Sequence, residues 1–264
     1  MKKEINIALL MCLAFLVSVL IFTACGDKDT PIDTTKEETT LNTQEIVPAN
    51  GSIGLSYKVN DDKTTCTITD IGTCTDTAIY IPGMIDGYKV TTIDHLAFYR
   101  CSNLTSITIP DSVTIIGTEA FRDCSGLTSI TIPHSVTDIY YGAFTGCSNL
   151  TSITIPNSIT HLSSGVFQSC NNLVSVTIGN SVPFIGMYAF YGCSNLTSIT
   201  LPDSVTSIEL WAFRYCSNLT SITFNGTVEQ WNAIGKGDEW DYDTGEYTIY
   251  CTNGTIPKEG ERIG

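Results

Sequence analysis

The chain is poor in positive charge. Its 264 residues carry 13 Lys and Arg against 27 Asp and Glu, a formal net charge of −14. Binding to a phosphate backbone needs clustered Lys and Arg, so no nucleic-acid partner is expected. The acid is unevenly placed. From Ala97 to Phe224 six acids (Asp111, Glu119, Asp123, Asp138, Asp203, Glu209) stand against three arginines (Arg100, Arg122, Arg214), which leaves the middle close to neutral. Histidine is also scarce: nothing pairs His95, His134 or His161 with a recurring acid or a unique nucleophile. The sequence therefore supports no catalytic triad, and no enzyme is expected. Lysine is rare in the body while Ser and Thr are abundant, a balance that favours strands and turns over long helices.

The N-terminus is different in kind. Lys2 and Lys3 precede an almost unbroken apolar run from Ile5 to Phe22, followed by Phe22-Thr23-Ala24-Cys25-Gly26-Asp27. One reading is an uncleaved membrane-spanning helix, since about 18 apolar residues are marginally long enough. The other is a signal peptide ending in a lipobox, with small Thr23 and Ala24 before a cysteine thiol that accepts lipid. The segment resembles a bacterial lipoprotein signal, although Phe22 stands where Leu is usual. Gly26 to Asn50 is rich in Thr, Asp and Glu and short of bulky apolar residues, which predicts a disordered tether. Two acyl chains on Cys25 would suffice for stable anchoring. The expected organisation is a signal peptide over 1–24 and a tether over 25–50, then irregular N-terminal repeats over 51–96. Six 23-residue repeats over 97–224 follow, with an aromatic, acidic cap and tail over 225–264.

The repeat is set by cysteine. Cys101, Cys124, Cys147, Cys170, Cys193 and Cys216 are each 23 residues apart, and their surroundings repeat with them. A fixed period in the twenties is the signature of a solenoid, whose units bury apolar surface only by stacking. In Ile130-Thr131-Ile132 apolar and polar residues alternate, which predicts a short strand with both Ile inward. Pro133 ends it for want of an N–H. Val136 and Ile139 turn inward next. Ala120-Phe121 and Cys124 predict a short helical turn, closed by Asn103 in most units and Gly126 in one, residues that tolerate left-handed backbone. Upstream, Cys74 to Pro82 resembles the repeat with one residue deleted. Ile68-Thr69-Asp70-Ile71-Gly72 is matched to Val113-Thr114-Ile115-Ile116-Gly117. Val90 to Ile93 continues that rung after an insertion around Gly83 to Gly87. Seven strands from Ile79–Ile81 to Ile222–Phe224 predict one parallel sheet of about 30 Å.

The unit Cys-x-x-Leu-x-x-Ile-x-Ile-Pro with Ala-Phe-x-x-Cys resembles the BspA-like (Treponema-type) leucine-rich repeat family over roughly residues 55 to 250. The resemblance implies a leucine-rich repeat solenoid: a parallel β-sheet of short strands with short helical turns or irregular coil on the opposite side. It also implies a bacterial surface protein. Some family members are implicated in adhesion to host extracellular proteins and to other bacteria. The expected protein is thus an extracytoplasmic lipoprotein at the cell surface, tied to the membrane through Cys25, with an extracellular protein or glycan ligand. An alternative is a glycan-capture or scaffolding lipoprotein of the cell envelope.

Several constellations bear on chemistry. The row Cys74, Cys101, Cys124, Cys147, Cys170, Cys193 and Cys216 could be disulfides, metal ligands or packing. A disulfide framework pairs particular positions, whereas this is one position repeated, and a linear row does not converge on a metal. Buried thiols acting as small apolar side chains fit best. Cys66 and Cys251 fall in the caps. Asp241-x-Asp243-x-Gly245 matches half of a calcium loop but lacks its far Glu and flanking helices, so a solvated hairpin with Gly245 in its turn is expected. Asn103-Leu104-Thr105 fits the glycosylation pattern by coincidence in a bacterial lipoprotein. No cofactor and no metal are expected.

Two surfaces are candidates for binding. The first is the sheet face, where Ser106/Thr108, Ser129/Thr131, Ser152/Thr154, Ser175/Thr177, Ser198/Thr200 and Ser221/Thr223 flank the inward Ile or Val and would form two hydroxyl rows. Such rows suit solvation and pairing between strands, a neutral docking face, or ice. The second is the variable set Tyr99, Arg100, Arg122, Tyr140, Tyr141, Tyr188, Tyr191, Trp211, Arg214 and Tyr215, residue types that anchor interfaces, beside the turn segment. Replacing Cys25 with Ala should leave the protein unprocessed by the lipoprotein route. Membrane partitioning of a processed Cys25→Ala form would overturn the lipobox reading.

Overall fold

A computed structural model describes residues 51–258. The signal segment, Cys25 and the tether lie outside the described residues, and no helix among the described residues is long and apolar enough to cross a membrane. The repeats wind as a solenoid, each coil laying its apolar positions over those of the next. The core is one continuous column set: Phe98, Phe121, Phe144, Phe167, Phe190 and Phe213 are fully buried, as are Leu127, Leu150, Leu173 and Leu196. Successive Phe rings stack at 5.2–5.7 Å between centroids, from Phe98 to Phe213. Burying one such ring stabilises by about 1.5–3 kcal/mol, and only the neighbouring coil supplies the cover.

The expected strands form the principal sheet. Ala78–Tyr80, Ser106–Thr108 and Ser129–Ile130 pair in parallel. Ser152–Ile155, Ser175–Ile178, Ser198–Leu201 and Ser221–Phe224 pair in parallel in turn. An eighth strand, Thr248–Cys251, follows, and Gly254–Pro257 pairs antiparallel to it as the edge strand. The ladder is interrupted between Ile130 and Ser152, where Thr151 N–H still donates to Thr128 O at 3.3 Å. The flanking repeats carry the same residues, and nothing in the structure explains the gap.

A second side of each coil is also strand, which the sequence did not suggest. Thr65–Asp70, Tyr88–Ile93, Ile115–Ile116 and Asp138–Ile139 pair in parallel, and Phe184–Ile185, Ser207–Ile208 and Gly235–Lys236 do so further on. Leu162 bridges to Ile185. Strands of two residues with one inward side chain show no alternation to read.

On the third side, the Ala-Phe segment closes successive i→i+3 turns, for example Tyr99 N to Leu96 O and Cys101 N to Phe98 O. Alternate N–H groups point along the solenoid: Leu96, Phe98 and Arg100 donate to Thr118, Ala120 and Arg122. The left-handed residues that make this possible are not Asn103 or Gly126. They lie five residues and one residue before each Cys: Leu96, Glu119, Gly142, Gly165, Tyr188 and Trp211, then Arg100, Asp123, Gly146, Ser169, Gly192 and Tyr215. The asparagines do something else. Asn172 donates to Asn149, Asn195 to Asn172 and Asn218 to Asn195 at 3.1–3.4 Å, a side-chain amide ladder.

Both ends refine the sequence reading. Ile68 pairs with Ile93, which pairs with Ile116, so Ile68 rather than Ile71 occupies the Ile116 column. The insertion at Gly83 to Gly87 is a hairpin, Met84–Ile85 against Tyr88 and Lys89, turned by Asp86 (φ 50°) and Gly87 (φ 87°). At the C-terminus the expected acidic hairpin is instead one more degenerate coil. Phe213 and Tyr215 donate to the carbonyls of Trp240 and Tyr242, and the Trp240 ring lies 5.9 Å from Phe213, edge-on, ending the Phe stack. A short helix, Val228–Ala233, capped by Thr227 and Gln230, seats the buried Trp231 against Phe224.

The cysteines of the described residues are free; Cys74, Cys124, Cys147, Cys170, Cys193 and Cys216 are buried and Cys101 half-buried. The thiols of Cys124, Cys147, Cys170, Cys193 and Cys216 donate to the Phe carbonyls 26 residues earlier at 3.0–3.2 Å. Burial raises the pKa values from Cys101 to Cys216 along the row, those of Cys147 and Cys193 from 9.0 to about 12. The folded state thus holds thiol protons that the unfolded chain releases above pH ~9. Stability is intact below that pH and should fall as pH rises from about 9 towards 12. Thermal unfolding across pH 7–11 should show this decline, shallower in a Cys147→Ala/Cys193→Ala variant; an equal slope would exclude the thiols as its cause.

Candidate binding surfaces

The sheet face is built by parallel register. Ser106 pairs with Ser129, and Ser152, Ser175, Ser198, Ser221 and Thr248 follow in one row. Thr154, Thr177, Thr200, Thr223 and Tyr250 form the other, and Tyr80 pairs with Thr108 at its start. Thr131 lies just beyond its strand and is exposed. The twelve hydroxyls are exposed or half-exposed, and none makes a hydrogen bond within the described residues. Hydroxyl bonding between coils does occur, one column away. Thr105, Thr128, Thr151, Thr197 and Thr220 donate to carbonyls of the preceding coil at 2.9–3.4 Å. The two Ser/Thr rows are therefore not used to hold the sheet. No charged side chain interrupts them, and tyrosines stand at both ends of the Thr row. Eight strands at about 4.8 Å give a face of about 34 Å. Tyr80 and Tyr250 were missed from sequence because they follow irregular or broken repeats.

The aromatic and basic candidates fall into two groups on the turn side. Near the start, Arg100 and Arg122 lie 5.1 and 5.9 Å from the Tyr99 ring. Arg122 Nη1 bonds Glu119 Oε1 at 2.5 Å, and Arg100 approaches Asp123 at 3.7 Å. Further along, Tyr188 meets Tyr191 and Trp211 edge-on at 5.7 and 5.1 Å, and Tyr191 meets Tyr215 at 5.2 Å. The Arg214 guanidinium sits 4.6–4.9 Å from the Trp211, Tyr215 and Tyr242 ring centroids. It is paired with Glu239, which also accepts from Trp211 Nε1 at 2.9 Å. Trp211, Arg214 and Tyr215 therefore fasten the last coil to the stack. Tyr141, Gln168, Tyr188, Tyr191, Trp211 and Arg214 line an open depression of about 510 Å³. Tyr140 is exposed and stacks with neither group among the described residues.

Backbone strain marks this side. Arg100, Tyr188, Trp211 and Tyr215 have φ of 58–65°, and glycines in the same columns have φ of 61–72°. A bulky residue there costs about 1–2 kcal/mol, which glycine avoids.

The calcium-like segment is committed elsewhere. Asp241 Oδ2 accepts from Tyr247 Oη at 2.5 Å, and Asp241 O from Thr244. No group of three or more His, Cys, Asp or Glu among the described residues could hold a metal ion.

A stack of 23-residue coils with one principal parallel sheet and turns opposite defines a leucine-rich repeat solenoid. The chain belongs to the BspA-type leucine-rich repeat family: the model of the BspA type leucine rich repeat region matches residues 91–220 in 6 copies. It is similar to the leucine-rich repeat protein of Treponema pallidum, at 33% identity over 66% of this chain and 85% of that one, with a TM-score of 0.61. A leucine-rich repeat protein of Bacteroides ovatus shares 20% identity over 75% of each chain, TM-score 0.48. A leucine-rich cell surface protein of Faecalibacterium prausnitzii shares 22% identity over 84% of this chain and 77% of that one, TM-score 0.44. No functionally curated protein is significantly similar. Repeats of this kind are protein-binding modules rather than enzymes.

If Arg214 fastens the last coil, Arg214→Ala should lower the melting temperature clearly more than Arg100→Ala, whose side chain is mostly exposed. Equal effects in a thermal melt would reject the fastening role.

Proposed function

We propose that the chain is a lipid-anchored bacterial surface protein that adheres to a host or microbial protein through its sheet face. The observation that carries this reading is the pair of in-register hydroxyl rows without hydrogen-bond partners among the described residues, bracketed by Tyr80 and Tyr250. A polar, uncharged face loses little on desolvation if a partner supplies hydrogen bonds, and tyrosines at its ends give anchors of large area. The acidic ends disfavour acidic partners at low salt, whereas contact made by the face itself is insensitive to salt.

Purified Ile46–Gly264, one compact unit, is tested against arrays of matrix proteins and bacterial surface proteins. At least one protein should bind, with affinity little changed between low and physiological salt. Thr177→Lys/Thr200→Lys should weaken it by at least tenfold with the circular dichroism unchanged. Absence of any protein ligand, or full binding by that variant, would reject the sheet-face reading.

A further inference from the structure

Two aromatics of the depression on the turn side, Tyr188 and Trp211, stand on one backbone column. Five residues before each Cys, the left-handed column runs Leu96, Glu119, Gly142, Gly165, Tyr188, Trp211, and the last four of these have φ of 61°, 63°, 58° and 58°. Glycine is available to all four positions and is used only at the first two. Tyr188 and Trp211 therefore stand in a strained backbone conformation that glycine would relieve, strain of the kind that gathers at functional sites. Tyr141, 52% exposed, and Gln168 complete the lining, and both side chains lie beside Gly165.

The lining chemistry is specific. The phenol groups of Tyr141, Tyr188 and Tyr191 and the side-chain amide of Gln168 have no hydrogen-bond partner among the described residues. Arg214, the one charged residue of the lining, is paired with Glu239 and enclosed by three rings. The site thus offers aromatic surface and neutral hydrogen-bonding groups, and no uncompensated charge. About 510 Å³ is the size of a small-ligand site. An extended peptide would seek an open sheet edge, and the depression lies on the turn side, away from the strands of the principal sheet. We infer that this depression binds a neutral sugar unit of a glycan, its C–H faces on the tyrosine rings and its hydroxyls on Gln168 and the phenols.

This site is separate from the sheet face, and each can fail without the other. Ile46–Gly264 is titrated with neutral trisaccharides of glucose, mannose and N-acetylglucosamine, followed by tryptophan fluorescence and calorimetry. At least one should bind saturably. Tyr141→Ala and Gln168→Ala, both at positions outside the core, should each weaken it at least tenfold, while Thr177→Lys/Thr200→Lys leaves it unchanged. Binding by none of these sugars, binding confined to sialylated or sulfated sugars added as a control, or binding that survives both depression variants would overturn the inference.

Discussion

Everything in this solenoid depends on one coil covering the next. A 23-residue unit has too little chain to bury a Phe, a Leu and the inward Ile residues against itself. It reaches full burial because the same residues recur above and below, so Phe121 lies between Phe98 and Phe144 at 5.2 and 5.4 Å. The constraint fixes the period. A coil of a different length would move every apolar column off its neighbour.

The polar groups obey the same rule. Many backbone N–H groups, the thiols, the Thr105-type hydroxyls and the asparagine amides bond to the adjacent coil, at separations of 22 to 26 residues where the repeat is regular. The cysteine row is therefore more than apolar filling: its weak donors meet the second lone pair of each Phe carbonyl in a site too dry for thiolate. What the stack does not consume is left for recognition. The two Ser/Thr rows are such a remainder on the sheet, and the Gln168 amide with its neighbouring phenols is one on the turn side.

The turn side is also where the repeat stops being economical. Columns that need left-handed backbone carry glycine at four positions, all in the later coils, and Leu, Glu, Asp, Ser, Arg, Tyr or Trp elsewhere. Trp211 and Tyr215 recover part of that cost by packing around Arg214, which ties the degenerate last coil to the regular ones. Tyr188 recovers less, and its ring borders the open depression.

The sequence by itself determined the period, the inward positions, the principal strands and the identity of the hydroxyl rows, because each is a pattern repeated in near-identical copies. It also held the variable aromatics, but as an unordered set. Tertiary structure alone decided which of them meet, since Arg214 joins Tyr242 and Glu239 only when a coil without repeat signature folds back on the stack. It alone revealed the second sheet, whose strands are too short to alternate. It moved the left-handed positions away from Asn103, because residues as different as Gly142, Glu119 and Trp211 share one backbone conformation there. Local composition cannot report a geometry that hydrogen bonds to the neighbouring coil impose.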